Sequence, residues 1–312
     1  MKVLYSLLIT VAFALTACAQ PPEATLSVEV VDDNGAPVAS ADVKLGFEAS
    51  PASPDEIKRG TTDEKGRWTA SGHTTGMVFY SAKKAGYYDS IDNRYHFSKR
   101  ESAHWLPEAP VCKIILKRVI EPVPMYVQQV SLEVPVLNTP LGFDFEAGDW
   151  VAPYGKGKST DLLIEAKSRF TTLQDFDAKV TITFPKRLDG IVAFSASQQS
   201  GSVLTSPQLA PSDGYATTRS RTISRRPDAG RSDTATDENI NYMFRVRTVE
   251  DEKGNIKEAN YGKIYGEIGF GGFAQPKPSV SFWYYFNPKV NSRSLEFDTT
   301  KNLFRDVKLP KP

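Results

Sequence analysis

The chain has 312 residues, and its 38 basic side chains are matched by 37 acidic ones. So even a balance excludes a nucleic-acid binder that would meet phosphates with a basic excess, and two cysteines exclude a disulfide-stapled scaffold. At ~150 residues per domain the length suggests two domains, and aromatic and β-branched residues punctuated by turn formers point to an all-β chain.

The chain opens on Lys2, an almost unbroken apolar run from Leu4 to Leu15, and then Leu15-Thr16-Ala17-Cys18. That is the layout of a secretory signal peptide. Its last four residues resemble the bacterial lipobox, which implies cleavage before Cys18 and lipidation of that cysteine. Residues 1–17 are therefore read as signal peptide and 18–24 as a lipidated linker. Ordinary signal-peptidase cleavage is the rival reading, because Ala17-Cys18-Ala19 also fits a small-x-small site. A membrane-spanning helix needs about 20 apolar residues, and Pro21-Pro22 cuts this run short. Removal of Lys2 leaves the mature chain formally neutral. Ala19, not Asp, follows the lipidated position, which implies an outer-membrane lipoprotein of a diderm bacterium, facing the periplasm or the cell surface.

The first domain is placed at 25–119. Leu26, Val28 and Val30 alternate with polar residues, the period of a half-buried strand, and Asp32-Asp33-Asn34-Gly35 makes a tight turn. Val43, Leu45 and Phe47 alternate again, and Asp63-Glu64-Lys65-Gly66 turns into a strand at Arg67-Trp68. The order Val-Val-Asp-Asn-type turn, Ala41-Asp42-Val43, Thr61-Thr62-Asp63-Glu64-Lys65-Gly66-Arg67-Trp68 and Lys84-Ala85-Gly86-Tyr87-Tyr88 resembles the carboxypeptidase regulatory-like, transthyretin-related β-sandwich. That resemblance covers about a third of the chain, rests on turn and core residues, and implies a non-catalytic spacer or binding module. Cys112 lies in a strand-like run and reads as a small buried hydrophobe. His73, His96 and His104 lack metal-ligand spacing and read as surface residues, so no metal is expected.

A proline-braced connector at 120–125 leads to a second domain at 126–312. Ala178, Val180, Ile182 and Phe184 form its clearest two-faced strand, and Asp251-Glu252-Lys253-Gly254-Asn255 reads as a hairpin loop returning through Tyr261 to Ile268. The best helix candidate is Thr160 to Phe170. From about 198 to 241 the composition turns to Ser, Thr, Arg, Asp and Gly, which predicts a long mobile polar insertion. The fold class is thus all-β, with two antiparallel β-sandwich domains after a lipoprotein signal peptide.

Ala152 to Ser159 satisfies a relaxed phosphate-loop pattern, but no buried strand precedes it and Ala152 stands where the first glycine belongs, so no nucleotide is expected. Two aromatic clusters could form a binding surface. Asp144, Asp149, Trp150 and Tyr154 combine sugar-stacking rings with hydroxyl-gripping carboxylates, and these four are the candidate ligand-binding residues. In Phe282-Trp283-Tyr284-Tyr285-Phe286 a strand would send Phe282, Tyr284 and Phe286 one way and Trp283 and Tyr285 the other, and core packing with the Tyr hydroxyls satisfied at the edge is the preferred reading over an exposed platform. No hydrolase or protease motif is present, and the second domain has no histidine, so no catalytic residue and no cofactor is assigned. Asp144, Asp149 and Asp161 would be the first carboxylates to suspect in a glycosidase-like pair. The reading is a lipid-anchored envelope protein that binds a glycan or an envelope protein, or serves a structural role. Its alternative is a carbohydrate-active enzyme or its accessory subunit.

Overall fold

The computed structural model describes residues 20–49, 54–195, 202–235, 239–271 and 278–304. Cys18, the expected lipidation site, lies outside the described residues together with the leader. Every regular element among the described residues is a strand, so the chain is all-β. It divides into two compact units, Met1–Lys84 with Ile91–Ile114 and Ala85–Ser90 with Ile115–Pro312. The stretches 85–90 and 115–119, placed in the first domain from sequence, thus group with the second unit.

The first unit carries β1 (Glu23–Asp32), β2 (Asp42–Phe47), β3 (Glu56–Thr61), β4 (Arg67–His73), β5 (Met77–Lys83), β6 (Asn93–His96), β7 (Lys99–Glu101), β8 (His104–Leu106) and the first four residues of β9 (Val111–Leu116). One sheet runs β4-β1-β8-β7 with β9 also on β1, and the other runs β3-β2-β5-β6. The expected alternation is present: Ala24, Leu26, Val28 and Val30 of β1 are all buried, as are Val43, Leu45 and Phe47 of β2. Each fully buried large side chain contributes roughly 1.5–3 kcal/mol. The turn after β1 forms as predicted, with Asp32 accepting from the Asn34 and Ala36 amides at 3.0 and 2.9 Å and Gly35 at a φ of 82°. Gly72 of β4 lies on the Phe47 ring, where a Cβ would come within 2.6 Å, so the glycine lets the two sheets meet.

The second unit carries β10 (Val123–Glu133), β11 (Leu141–Asp144), β12 (Asp149–Trp150), β13 (Leu162–Thr172), β14 (Asp175–Thr183), β15 (Gly190–Ser195), β16 (Thr218–Arg226), β17 (Gly230–Asp233), β18 (Ile240–Glu250), β19 (Ile256–Gly271), β20 (Ser279–Asn287) and β21 (Phe297–Asn302). Two six-stranded sheets result, β15-β18-β19-β20-β10-β21 and β12-β11-β13-β14-β16-β17, antiparallel except where β21 joins β10. Inward residues of both sheets make one core, in which Phe145 stacks on Phe244 at 4.3 Å with 7° between the rings. The hairpin at Asp251–Asn255 joins β18 to β19 as expected.

Two expectations are corrected here. The helix candidate at Thr160 to Phe170 is β13: Leu162, Ile164 and Ala166 are buried in the core with polar neighbours between them, a period of two. The polar stretch from 198 to 241 is not one long insertion without structure, for β16 pairs with β14 along its whole length and β17 pairs with β16. Edge strands draw their stability from backbone pairing, and here charged partners add to it. Arg221 meets Asp233 at 2.8 Å, Arg226 meets Asp177 at 2.7 Å and Arg219 meets Glu267 at 2.8 Å. The residues 196–201 and 236–238 of this stretch lie outside the described residues.

Candidate ligand-binding site

The sequence-predicted cluster comes together, but as structure. Asp144 is buried and its Oδ2 accepts from the amides of Lys158 and Ser159 at 2.9 and 3.0 Å, while Oδ1 accepts from Glu146 and Ala147 at 2.9 and 3.3 Å. Burial pushes its pKa up, and these four amides outweigh that and hold the carboxyl below its ordinary value. The Gly-Lys-Ser segment that mimicked a phosphate loop therefore turns its amides onto a carboxylate of its own chain. Asp149 accepts from the Trp150 and Lys156 amides at 2.8 and 3.1 Å. Trp150 points into the core and donates its indole N–H to Glu133 O at 2.9 Å. The expected stacking face of Trp150 is thus covered, because a half-polar ring is best satisfied with its body packed and its N–H bonded. Of the four predicted residues only Tyr154 presents an exposed ring.

Two of the suspected carboxylates, Asp144 and Asp161, do share a partner, one that sequence reasoning missed. Arg247 sits where β18 slips register, at a φ of 59°, and its own amide and that of Thr248 are held by Asp189 at 3.2 and 3.0 Å. Its guanidinium forks onto Asp161 at 2.7 and 3.0 Å, reaches Asp144 at 3.3 Å, bonds Glu146, and lies 4.9 Å from the centre of the Phe286 ring. Burial pushes Asp161 up even so, whereas Arg247, despite its own burial, is held more firmly protonated by its carboxylates. With the guanidinium bonded to both carboxylates, the cluster is a clasp between the two sheets of the second unit. It does not have the open carboxylate pair of a glycosidase.

A more suitable site lies on the other face of the β19–β20 sheet. Period two sends Ile264 of β19 and Tyr284 and Phe286 of β20 into the core, and it sends Lys263, Tyr265 and Tyr285 the opposite way. There they border a cavity of about 430 Å³, also lined by Tyr87, Tyr88, Leu204 and Phe297, all within the second unit. This volume falls in the ~300–1,000 Å³ range of small-molecule sites. Tyr265 and Tyr285 meet edge to face at 5.3 Å, as do Tyr285 and Phe297 at 5.7 Å. Lys263 is 2 % exposed. Its Nζ donates to Ser206 Oγ at 2.8 Å and stands 4.8 and 5.2 Å from the ring centres of Tyr285 and Tyr265.

Burial pushes the Lys263 pKa down. The Tyr265 hydroxyl, which accepts from Thr205 at 3.1 Å, is pushed up by burial, but the nearby amine and its hydrogen bonds outweigh this and hold it below the usual phenol value. Behind the cavity wall Glu296 is buried, its Oε2 accepting from Tyr88 at 3.2 Å and from the Ile120 and Glu121 amides at 3.0 Å each, and its Oε1 from Gln208 at 2.6 Å. Of the aromatic run 282–286, read from sequence mainly as core packing, Phe282, Tyr284 and Phe286 are in the core and Tyr285 lines this site. Lys263, two residues before Tyr265 on the face opposite Ile264, was a readable second signal. The remaining walls come from segments far apart in sequence, which periodicity cannot bring together.

No family model matches the chain, and no curated protein matches it. Among solved structures it is similar to 3-chlorocatechol 1,2-dioxygenase from Rhodococcus opacus, at 19 % identity and a TM-score of 0.26, over 33 % of this chain and 62 % of that one. It is also similar to a streptococcal ancillary pilin, at 10 % identity and 0.24, over 84 % and 58 %. A third likeness is to a putative carbohydrate binding protein from Bacteroides uniformis, at 8 % and 0.21, over 85 % and 98 %. The chain thus spans less than two thirds of the dioxygenase and of the ancillary pilin. At these scores the likenesses identify neither a family nor an activity.

Proposed function

We propose that this chain is an exported, lipid-anchored envelope protein with a non-catalytic binding role, and that its ligand enters the tyrosine-lined cavity of the second unit. The observation that carries the reading is the cavity itself: about 430 Å³, walled by aromatic rings, with the buried amine of Lys263 on its lining. A concave aromatic site with a few convergent polar groups is the ordinary form of a small-ligand site. The lipobox-like Leu15-Thr16-Ala17-Cys18 supports export and anchoring. The carboxylate cluster filled by Arg247 supports binding over carboxylate-pair hydrolysis at Asp144 and Asp161.

The test is a panel of mono- and oligosaccharides titrated into the full chain in detergent. Thr299→Trp serves as a blocking variant, since Thr299 is exposed and lines the cavity. Binding that Thr299→Trp abolishes and Tyr154→Ala spares supports the cavity. Binding lost only with Tyr154→Ala moves the site to the 143–154 loop. Turnover of an oligosaccharide by the purified chain overturns the non-catalytic reading in favour of an enzyme.

A further inference from the structure

The first unit has a concavity of its own, on the outer face of the β3-β2-β5-β6 sheet. Alternation along β2 buries Val43 and Leu45 and turns Asp42 and Lys44 outward. The register then sets Arg59 of β3 and Ser81 of β5 on either side of Lys44, and Thr61 and Lys83 on either side of Asp42. These side chains line a groove of about 510 Å³, all within the first unit.

The charges in the groove do not balance. Asp42 has Lys83 directly opposite, an arrangement that favours both. Lys44 and Arg59 also stand directly opposite each other, and like charges in that position repel. Both are exposed, and among the described residues no carboxylate pairs with either. The neighbouring row of the same face adds no acid: Gly46 has no side chain, and Arg94 of β6 lies over the Phe79 ring at 5.3 Å. In a chain of 38 basic and 37 acidic side chains this is a local surplus, and it coincides with a concave surface.

Directly opposite residues start roughly 4.5–5.5 Å apart at Cβ, so one small anion can touch both cations. The guanidinium offers a planar fork and the ammonium a point charge. A carboxylate or a sulfate ester brings a single negative charge and leaves one of the two cations unmatched. A phosphate monoester brings about −1.5 to −2 near pH 7 and three acceptor oxygens. We propose that this groove binds a phosphate monoester, with Lys44 and Arg59 taking its charge and the half-buried Ser81 hydroxyl donating to the third oxygen.

The experiment is calorimetry of the full chain in an uncharged detergent at about pH 7.5, above the second phosphate pKa. The probes are glycerol 1-phosphate, glycerol 1-sulfate, glycerol and dihexanoyl phosphatidate. Glycerol 1-phosphate is expected to bind, with the sulfate at least threefold weaker and glycerol silent. Lys44→Gln and Arg59→Gln are each expected to lower the phosphate affinity at least tenfold. Lys113→Gln, an exposed change on β9 in the other sheet, is expected to leave it unchanged. Phosphatidate binding at least tenfold tighter than glycerol 1-phosphate assigns the monoester to a lipid headgroup, and equal binding assigns it to a soluble ester; either supports the site. Silence towards both phosphates, equal affinity for the sulfate, or phosphate binding that both Lys44→Gln and Arg59→Gln spare overturns the proposal, as does an equal loss with Lys113→Gln.

Discussion

Arg247→Ala is the perturbation that bears most directly on how the second unit is held together. The guanidinium is bonded to three carboxylates whose side-chain exposures are 0 % for Asp161, 6 % for Asp144 and 40 % for Glu146. Removing one partner of a buried, hydrogen-bonded pair costs ~3–5 kcal/mol, because the other charge stays buried alone. The half-exposed Glu146 contact adds at most ~1 kcal/mol, and the ring contact with Phe286 a similar amount. The sum is comparable to the whole ~5–15 kcal/mol stability of a domain. Hydrogen exchange followed by mass spectrometry, on peptides from β13 and β18, reads the opening free energy of this unit apart from the first. Arg247→Ala should speed exchange in both strands by a factor of at least ~100. Arg247→Lys should fall between, since lysine keeps the charge without the planar fork. A change below tenfold for Arg247→Ala, or wild-type exchange for Arg247→Lys, refutes the clasp.

Three further outcomes are expected. Asp298, held to a pKa of about 2 by the Thr300 hydroxyl and Lys301, should titrate there by carboxyl NMR, and Thr300→Val should move it back towards the ordinary carboxylate value. Because its folded pKa lies below the unfolded one, these contacts contribute stability above the ordinary carboxylate pKa and lose it as pH falls towards about 2. Gly262→Ala should destabilise the second unit by roughly 1–3 kcal/mol in urea titration, since the added Cβ would meet the Phe244 ring at 2.2 Å and the Tyr285 carbonyl at 2.4 Å. Cys18→Ala should abolish incorporation of an alkyne palmitate analogue in a diderm host and release the chain from membranes; labelling that persists in the variant would place the lipid elsewhere.

What could be read from the sequence was whatever two-residue periodicity carries. Leu26, Val28 and Val30 announced β1, Ala178 to Phe184 announced β14, and the split of Phe282 to Phe286 between core and opposite face follows from alternation alone. β13 was misread because Leu162-Leu163-Ile164 is a continuous apolar run, which fits a helix as well as a strand until its partners are known. β16 was missed because its strand character lies in backbone pairing and in acids contributed by β14, β17 and β19, none of which its own composition announces. At the site the failure was one of direction: a Trp and two Asp in a glycine-rich loop look like a binding surface, and only the tertiary fold decides that Trp150 turns inward and Asp144 binds its own amides. Arg247 could not have been singled out, since its role depends on a bulge and on carboxylates some hundred residues away.

Fluorine NMR of the full chain carrying 3-fluorotyrosine, with resonances assigned by Tyr265→Phe and Tyr285→Phe, tests the central claim most directly. Addition of a saccharide from the panel that binds the chain should shift the Tyr265 and Tyr285 signals and leave that of Tyr154 in place. Saturable binding that moves Tyr154 while the two cavity tyrosines stay unchanged would contradict the account.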